Sequence, residues 1–211
     1  MFAATAHTLE GKPISGPLLP LSNFVLVKVR EAKEQTFGGI ILPDQAKERS
    51  TAGSVVSVGP GKTHHDTNVV IPMPVSVGDG VLYGKYDGSK IDYNGEEHTL
   101  IRDEDILLSY KGGEMTLEDI EPAWDQVVVK VETSSETPSG IITASASERA
   151  SSEGQVMSVG KGRVASNGEL IPLGVSVGEY VKFRDYAGSE VRLSGSGYVI
   201  VRASDCLAKW T

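Results

Sequence analysis

Apolar residues along most of this chain recur at every second position, the period of a strand with one buried face. Val25, Val27 and Val29 share one parity around Lys28, and Val127, Val129 and Val131 repeat it around Lys130. Further on, Val56 and Val58 answer to Met157 and Val159, Val81 and Tyr83 to Val181 and Phe183, and Ile101 to Val201. The run Ile106, Leu107, Leu108 answers to Cys206, Leu207, Ala208. The pattern predicts about five short strands in each half of the chain. With 24 glycines and 10 prolines among 211 residues, long helices have few places to form, so helix is expected to be minor.

The two halves are copies of one another. Val77-Gly78-Asp79 returns as Val177-Gly178-Glu179, and Tyr83, Tyr86, Gly88 and Ser89 match Phe183, Tyr186, Gly188 and Ser189 at an offset of 100 residues. Upstream, Gly53, Gly59 and Gly61 match Gly154, Gly160 and Gly162 at 101, and Pro20, Val25, Val27 and Val29 match Pro122, Val127, Val129 and Val131 at 102. Single-residue deletions inside loop-like segments account for both slips. A repeat of this density indicates duplication of one unit. The prediction is an all-β chain of two tandem small β-barrels, closed or partly closed because closure removes exposed edges. Residues 1–19 are an N-terminal tail, 20–110 the first domain, 111–120 a short linker where Gly112-Gly113 and acidic residues break the alternation, and 121–211 the second domain.

One long segment in each copy departs from the strand pattern, residues 31–52 and 132–153. Polar loops of about twenty residues are unusual in so small a barrel and are typically functional or disordered. Each carries apolar residues behind glycine: Gly38, Gly39, Ile40, Ile41 and Leu42 in the first, Gly140, Ile141, Ile142 and Thr143 in the second. These read as hydrophobic anchors on long arms.

Charge and cysteine content remove several classes. A net charge of -8 disfavours a nucleic-acid partner, since phosphate backbones are met with basic patches. The single cysteine, Cys206, rules out an internal disulfide framework and a multi-cysteine zinc site, and fits a reducing compartment. No stretch approaches the ~20 apolar residues that span a bilayer, so no membrane role is expected. Residues 1–19 lack the basic and long apolar parts of a secretory signal, which implies no targeting peptide or one already removed.

Taken in order and spacing, several segments resemble the GroES family of co-chaperonins: PLSNFVLVKV at 20–29, GGIIL at 38–42, GSVVSVGPGK at 53–62, VSVGD at 75–79 and DEDILLSY at 103–110. The second copy fits as well, with VMSVGKGR, NGELIPLGVSVGE and ASDCLA. Two fused copies, with Tyr86-Asp87-Gly88-Ser89 and Tyr186-Ala187-Gly188-Ser189 at matching turns, resemble the tandem-domain chloroplast subgroup. The resemblance implies GroES-like barrels, no enzymatic activity, no cofactor of its own, ATP bound by the partner, and residence in the chloroplast stroma. The implied partners are a chaperonin ring, unfolded client proteins, further copies of this chain in a homo-oligomer, and single-domain co-chaperonins in mixed rings. A sevenfold ring against paired domains poses a mismatch: one domain is idle or a single-domain partner completes the lid.

The same resemblance makes Ile40, Ile41 and Leu42 the tripeptide that enters an apolar groove on the chaperonin, with Gly38 and Gly39 allowing a sharp turn before it. The second loop has Ser139 in place of one glycine and Thr143 in place of leucine. It is therefore expected to anchor more weakly, by about 1.5–3 kcal/mol where that site is fully buried. The roof hairpins of the family map onto residues 61–71 and 162–171, placing Asp66 and Glu169 toward the chamber or its orifice, or simply in solvated turns. The alternatives are a peptide-binding adaptor acting without a chaperonin, and an enzyme built on such a barrel, whose cofactor domain and zinc ligands the sequence lacks.

The remaining candidates read as structural. His64, His65 and Asp66 are three consecutive ligand types that cannot easily converge on one ion, and the second copy has Ala165, Ser166 and Asn167 there, so a solvated turn is expected. Cys206 aligns with Ile106 and is expected to be a buried thiol. Gly59-Pro60-Gly61-Lys62 and Gly160-Lys161-Gly162-Arg163 lack the spacing and following helix of a phosphate loop. No Ser, His and Asp trio recurs in both copies. Trp124 and Trp210 are expected at a domain or subunit edge.

Overall fold

The alternating segments form strands in the computed structural model, which describes residues 7–30, 51–84, 86–111, 115–131, 152–193 and 196–211. Ahead of the first unit lie β1 (His7–Leu9) and β2 (Lys12–Ile14). The first unit supplies β3 (Phe24–Val29), β4 (Thr51–Val58), β5 (Lys62–Thr63), β6 (Val70–Ile71), β7 (Gly80–Tyr83), β8 (Ser89–Tyr93), β9 (Glu96–Arg102) and β10 (Ile106–Tyr110). The second supplies β11 (Ile120–Pro122), β12 (Gln126–Val131), β13 (Glu153–Val159), β14 (Arg163–Val164), β15 (Leu170–Ile171), β16 (Tyr180–Phe183), β17 (Ser189–Leu193), β18 (Ser196–Arg202) and β19 (Cys206–Trp210). Among the described residues, helical backbone is limited to 3-10 turns at Asp103–Asp105 and Ala203–Asp205, equivalent places in the two units.

The repeat is visible in the ladders. The first unit runs β10-β7-β4-β3-β9-β8 and the second β19-β16-β13-β12-β18-β17, the same order strand for strand. Six strands thus form each ladder, one more than the alternation alone predicts. Val25, Val27, Val55, Val81, Tyr83, Ile101 and Ile106, drawn from five of these strands, share one buried cluster. Val127, Val129, Val156, Val181, Phe183 and Val201 do the same in the second unit. Residues from so many strands meet at one core only if the sheet curls around it, giving the partly closed barrel expected.

The parity inferred for Val56 and Val58 needs correction. The register between β3 and β4 shifts between Leu26 and Val27, and that between β12 and β13 shifts at the same place, between Val128 and Val129. Each shift is a bulge, where two residues oppose one and the side-chain alternation slips. Val55 and Val156 therefore point into the cores, Val56 is exposed, and Met157 packs at the junction between the units.

That junction is a second apolar cluster. Leu82, Leu108 and Tyr110 of the first unit and Ile120 of the connecting segment pack with Val128, Leu193, Tyr198 and Ile200 of the second. β11 pairs antiparallel with β10, Tyr110 opposite Ile120 and Leu108 opposite Pro122, so the opening strand of the second unit lies in the sheet of the first. Trp124 packs against the first unit's core, which places it at the domain edge as expected. The short hairpins β5-β6 and β14-β15 also meet, the Thr67 hydroxyl donating to the Ser166 carbonyl at 2.6 Å.

Candidate functional site

The anchor residues inferred from sequence, Gly38, Gly39, Ile40, Ile41, Leu42, Gly140, Ile141, Ile142 and Thr143, lie outside the described residues. What is described is the frame that holds both loop ends. The first loop leaves from the end of β3 and returns into β4, with Val29 opposite Gly53 and the Arg30 N–H donating to the Ala52 carbonyl at 3.0 Å. The second leaves from β12 and returns into β13, with Val131 opposite Gly154. On the far side β7 and β16 brace the returning strands: Thr51 faces Tyr83, and Glu153 faces Lys182.

The glycine that closes each stem is required by space. A Cβ on Gly53 would collide with the Val27 side chain and the Lys28 carbonyl oxygen, and one on Gly154 with the Lys130 carbonyl oxygen and the Val129 side chain. Both loops therefore start from a pinched strand pair at equivalent positions. The second stem carries an added polar clasp: the Ser152 hydroxyl donates to Asp185 at 2.6 Å, Lys182 donates to Ser152, and the Phe183 N–H donates to the Ser152 carbonyl at 2.9 Å.

The other sequence candidates are placed as follows. His64, His65 and Asp66 do converge, contrary to the expectation from their adjacency: one ligand atom from each lies within 4.8 Å of the others. They sit in a turn with His65 and Asp66 exposed, where the Asp66 N–H donates to the His64 ring at 3.3 Å. Cys206 is half-buried rather than fully buried, packed at the edge of the second core because it begins a strand at the sheet margin. Burial pushes its thiol above the ordinary value and Asp205 adds to this, the opposite of an activated nucleophile. Trp210 lies on that same outer strand, stacked on Tyr180 at 5.8 Å. Asp66 and Glu169 are exposed at the tips of the two short hairpins.

Sequence reasoning missed the junction between the units. Its signal was present in Gly80–Tyr83 and Ile106–Tyr110, whose apolar residues occupy both parities, the mark of a strand buried on two faces.

Comparison with known proteins gives the pattern a counterpart. The family model described as Chaperonin 10 Kd subunit matches twice, over residues 17–110 and 119–210. The 20 kDa chaperonin, chloroplastic, of Arabidopsis thaliana is 35% identical over 191 residues, covering 90% of this chain and 74% of that protein. Its namesake from Spinacia oleracea is 34% identical, covering 90% of this chain and 73% of the relative. The Co-chaperonin GroES of Lawsonia intracellularis is 48% identical over 95 residues, 45% of this chain but 93% of its own length.

Proposed function

Because the chain belongs to the chaperonin 10 kDa subunit family, with the family domain present twice, we propose that it works as a two-loop lid for a chaperonin ring. It is a co-chaperonin, the function its relatives carry in their names. Its tandem relatives are chloroplastic, and the chloroplast stroma is where this chain acts. It performs no catalysis and holds no cofactor; ATP is bound and hydrolysed by the partner. The observation that carries the reading is the repeat: two units with one ladder order, each with the same pinched glycine stem at the ends of its long polar segment.

Ile40, Ile41 and Leu42, with Ile141, Ile142 and Thr143 in the second loop, enter apolar grooves on the ring. Ordering each loop costs about 2–5 kcal/mol, so a single loop holds weakly. Several loops on one rigid body gain through effective concentration, and a small change in each groove when ATP is hydrolysed releases them together.

The internal junction supplies the rule for building the lid. The first unit's outer strands meet the second unit's β12, β17 and β18 head to tail, and the same operation repeated between chains sets β19 of one chain against the first unit of the next. Tyr180, Leu207 and Trp210 are 41%, 60% and 45% exposed on that terminal face, the positions of Gly80, Leu107 and Tyr110 in the covered one. Single-domain co-chaperonins can occupy the same joint and so complete a sevenfold lid with an odd unit. The test is recovery of a denatured client by a chaperonin with ATP: recovery that requires this chain supports the reading, and recovery unaffected by it refutes the reading.

A further inference from the structure

The second unit's leading face, built from Val128, Val191, Leu193, Tyr198 and Ile200, is sealed by the first unit. Its counterpart in the first unit is Leu26, Ile91, Tyr93, His98 and Leu100. Leu26, Tyr93 and His98 are nevertheless 0%, 5% and 3% exposed.

The N-terminal hairpin lies against this face. β1 and β2 pair across Glu10 and Gly11, whose φ values of 48° and 72° are those of a two-residue turn matched to strand twist. The hairpin extends the sheet beyond β8, with Leu9 opposite Tyr93. The Glu10 N–H donates to the Asp92 carbonyl at 2.9 Å, the Asn94 N–H donates to the Thr8 carbonyl at 3.0 Å, and the Thr8 N–H donates to the Asn94 side-chain oxygen at 2.9 Å. The His7 ring stacks on Tyr93 at 5.7 Å with the planes 3° apart, and the Tyr93 hydroxyl lies 2.8 Å from His7 Nδ1. The Leu18 N–H donates to that hydroxyl at 3.2 Å, and Tyr93 sets its edge on His98 at 5.4 Å.

The family matches begin at residues 17 and 119, so residues 7–16 stand just ahead of the first unit as the connecting segment and the first unit's last strand stand just ahead of the second. The second unit's leading face is covered by the trailing end of the first, and on the first unit's leading face the chain's own hairpin covers Tyr93. We propose that residues 7–18 form a detachable cap on the first unit's leading face, occupying the surface that the trailing face of a second copy of this chain would take. Head-to-tail growth is then gated by release of the hairpin. This rests on the head-to-tail assembly argued above.

The cap is held mostly by exposed backbone hydrogen bonds at one sheet edge, the kind of segment that opens locally without unfolding the domain. A competing partner sees only the open fraction, so its apparent affinity falls by that fraction. The test is sedimentation velocity of the full chain over a concentration series, with thermal melting to confirm that each variant is folded. Gly11→Pro cannot keep a φ of 72° because proline is fixed near −65°, and His7→Ala removes the stack and the ring nitrogen while leaving the turn. Gly11→Pro is expected to tighten self-association about tenfold or more, and His7→Ala to tighten it in the same direction. Adding Trp210→Asp is expected to reverse the gain. Association of Gly11→Pro equal to or weaker than that of the parent overturns the cap. Should Trp210→Asp leave association unchanged in both backgrounds, the head-to-tail joint itself fails, a result separable from failure of the cap alone.

Discussion

Gly53 and Gly154 show how the absence of a single atom lets the strand pairs at the loop stems approach each other. No Cβ fits at either stem without displacing a carbonyl oxygen on the neighbouring strand. Overpacking of this kind costs about 1–3 kcal/mol, so Gly53→Ala and Gly154→Ala should each lose that much in urea denaturation, while Gly174→Ala, with open space around it, should be close to neutral. Asp103 makes a second prediction at this scale. Burial pushes its carboxyl above the ordinary value, although the Asn23 amide and the Glu104 N–H pull it down. The folded state therefore disfavours the charged form, and the stabilising balance present below the ordinary carboxylate value is lost as pH rises through the raised one. Asp103→Asn has no charge to desolvate. Its stability relative to the parent should improve between acid and neutral pH, measured by urea midpoints at both; a relative loss on raising the pH would contradict the assignment. The repeated glycines were legible in the sequence, but the burial of Asp103 was not, since in the second copy Ala203 stands there and Asp125 instead meets Arg163 at 3.0 Å.

At the scale of elements, strand parity was readable wherever pairing is regular, as at Val25 and Val27 or Val127 and Val129. It failed at Val56, where a bulge moves the buried position to Val55. Bulges leave no local signature in the hydrophobic pattern because they are set by the partner strand. The N-terminal hairpin was hidden for a related reason: Lys12, Pro13 and Ile14 carry no alternation, and their strand exists through the Glu10-Gly11 turn and the edge of β8. The loops are the opposite case: their anchor residues are read from the sequence alone and lie outside the described residues. Serine at Ile40, Ile41 and Leu42 should abolish chaperonin capture. Serine at Ile141 and Ile142 should weaken it less, since Thr143 already forgoes an apolar contact of about 1.5–3 kcal/mol. Binding of both variants to a chaperonin ring in ATP, followed by interferometry, separates the two; equal losses would contradict the asymmetry.

Across the whole molecule, the duplication explains both what was foreseen and what was not. Two copies of one unit follow from glycine and valine spacings alone, and the ladders repeat strand for strand. The joint between them lay deeper, because it depends on differences between the copies: Leu82 and Leu108 are buried at the junction, whereas their counterparts Lys182 and Ala208 stand on the outer face. Leu108→Ala should cost about 2–5 kcal/mol and uncouple the units, seen as a broadened or two-step urea transition. Under the proposed head-to-tail assembly, the same joint would let paired domains meet a ring of odd symmetry, through copies added head to tail and single-domain partners at the free ends. In the proposed function, all of this serves one act, the capture of a chaperonin by the two loops. Co-migration with a chaperonin ring on gel filtration tests it most directly. The parent chain should travel with the ring when ATP is present and separate from it when ATP is absent, and the variant with serine at Ile40, Ile41 and Leu42 should travel alone in both conditions. A parent that never joins the ring, or a serine variant that joins it as well as the parent does, would contradict the account.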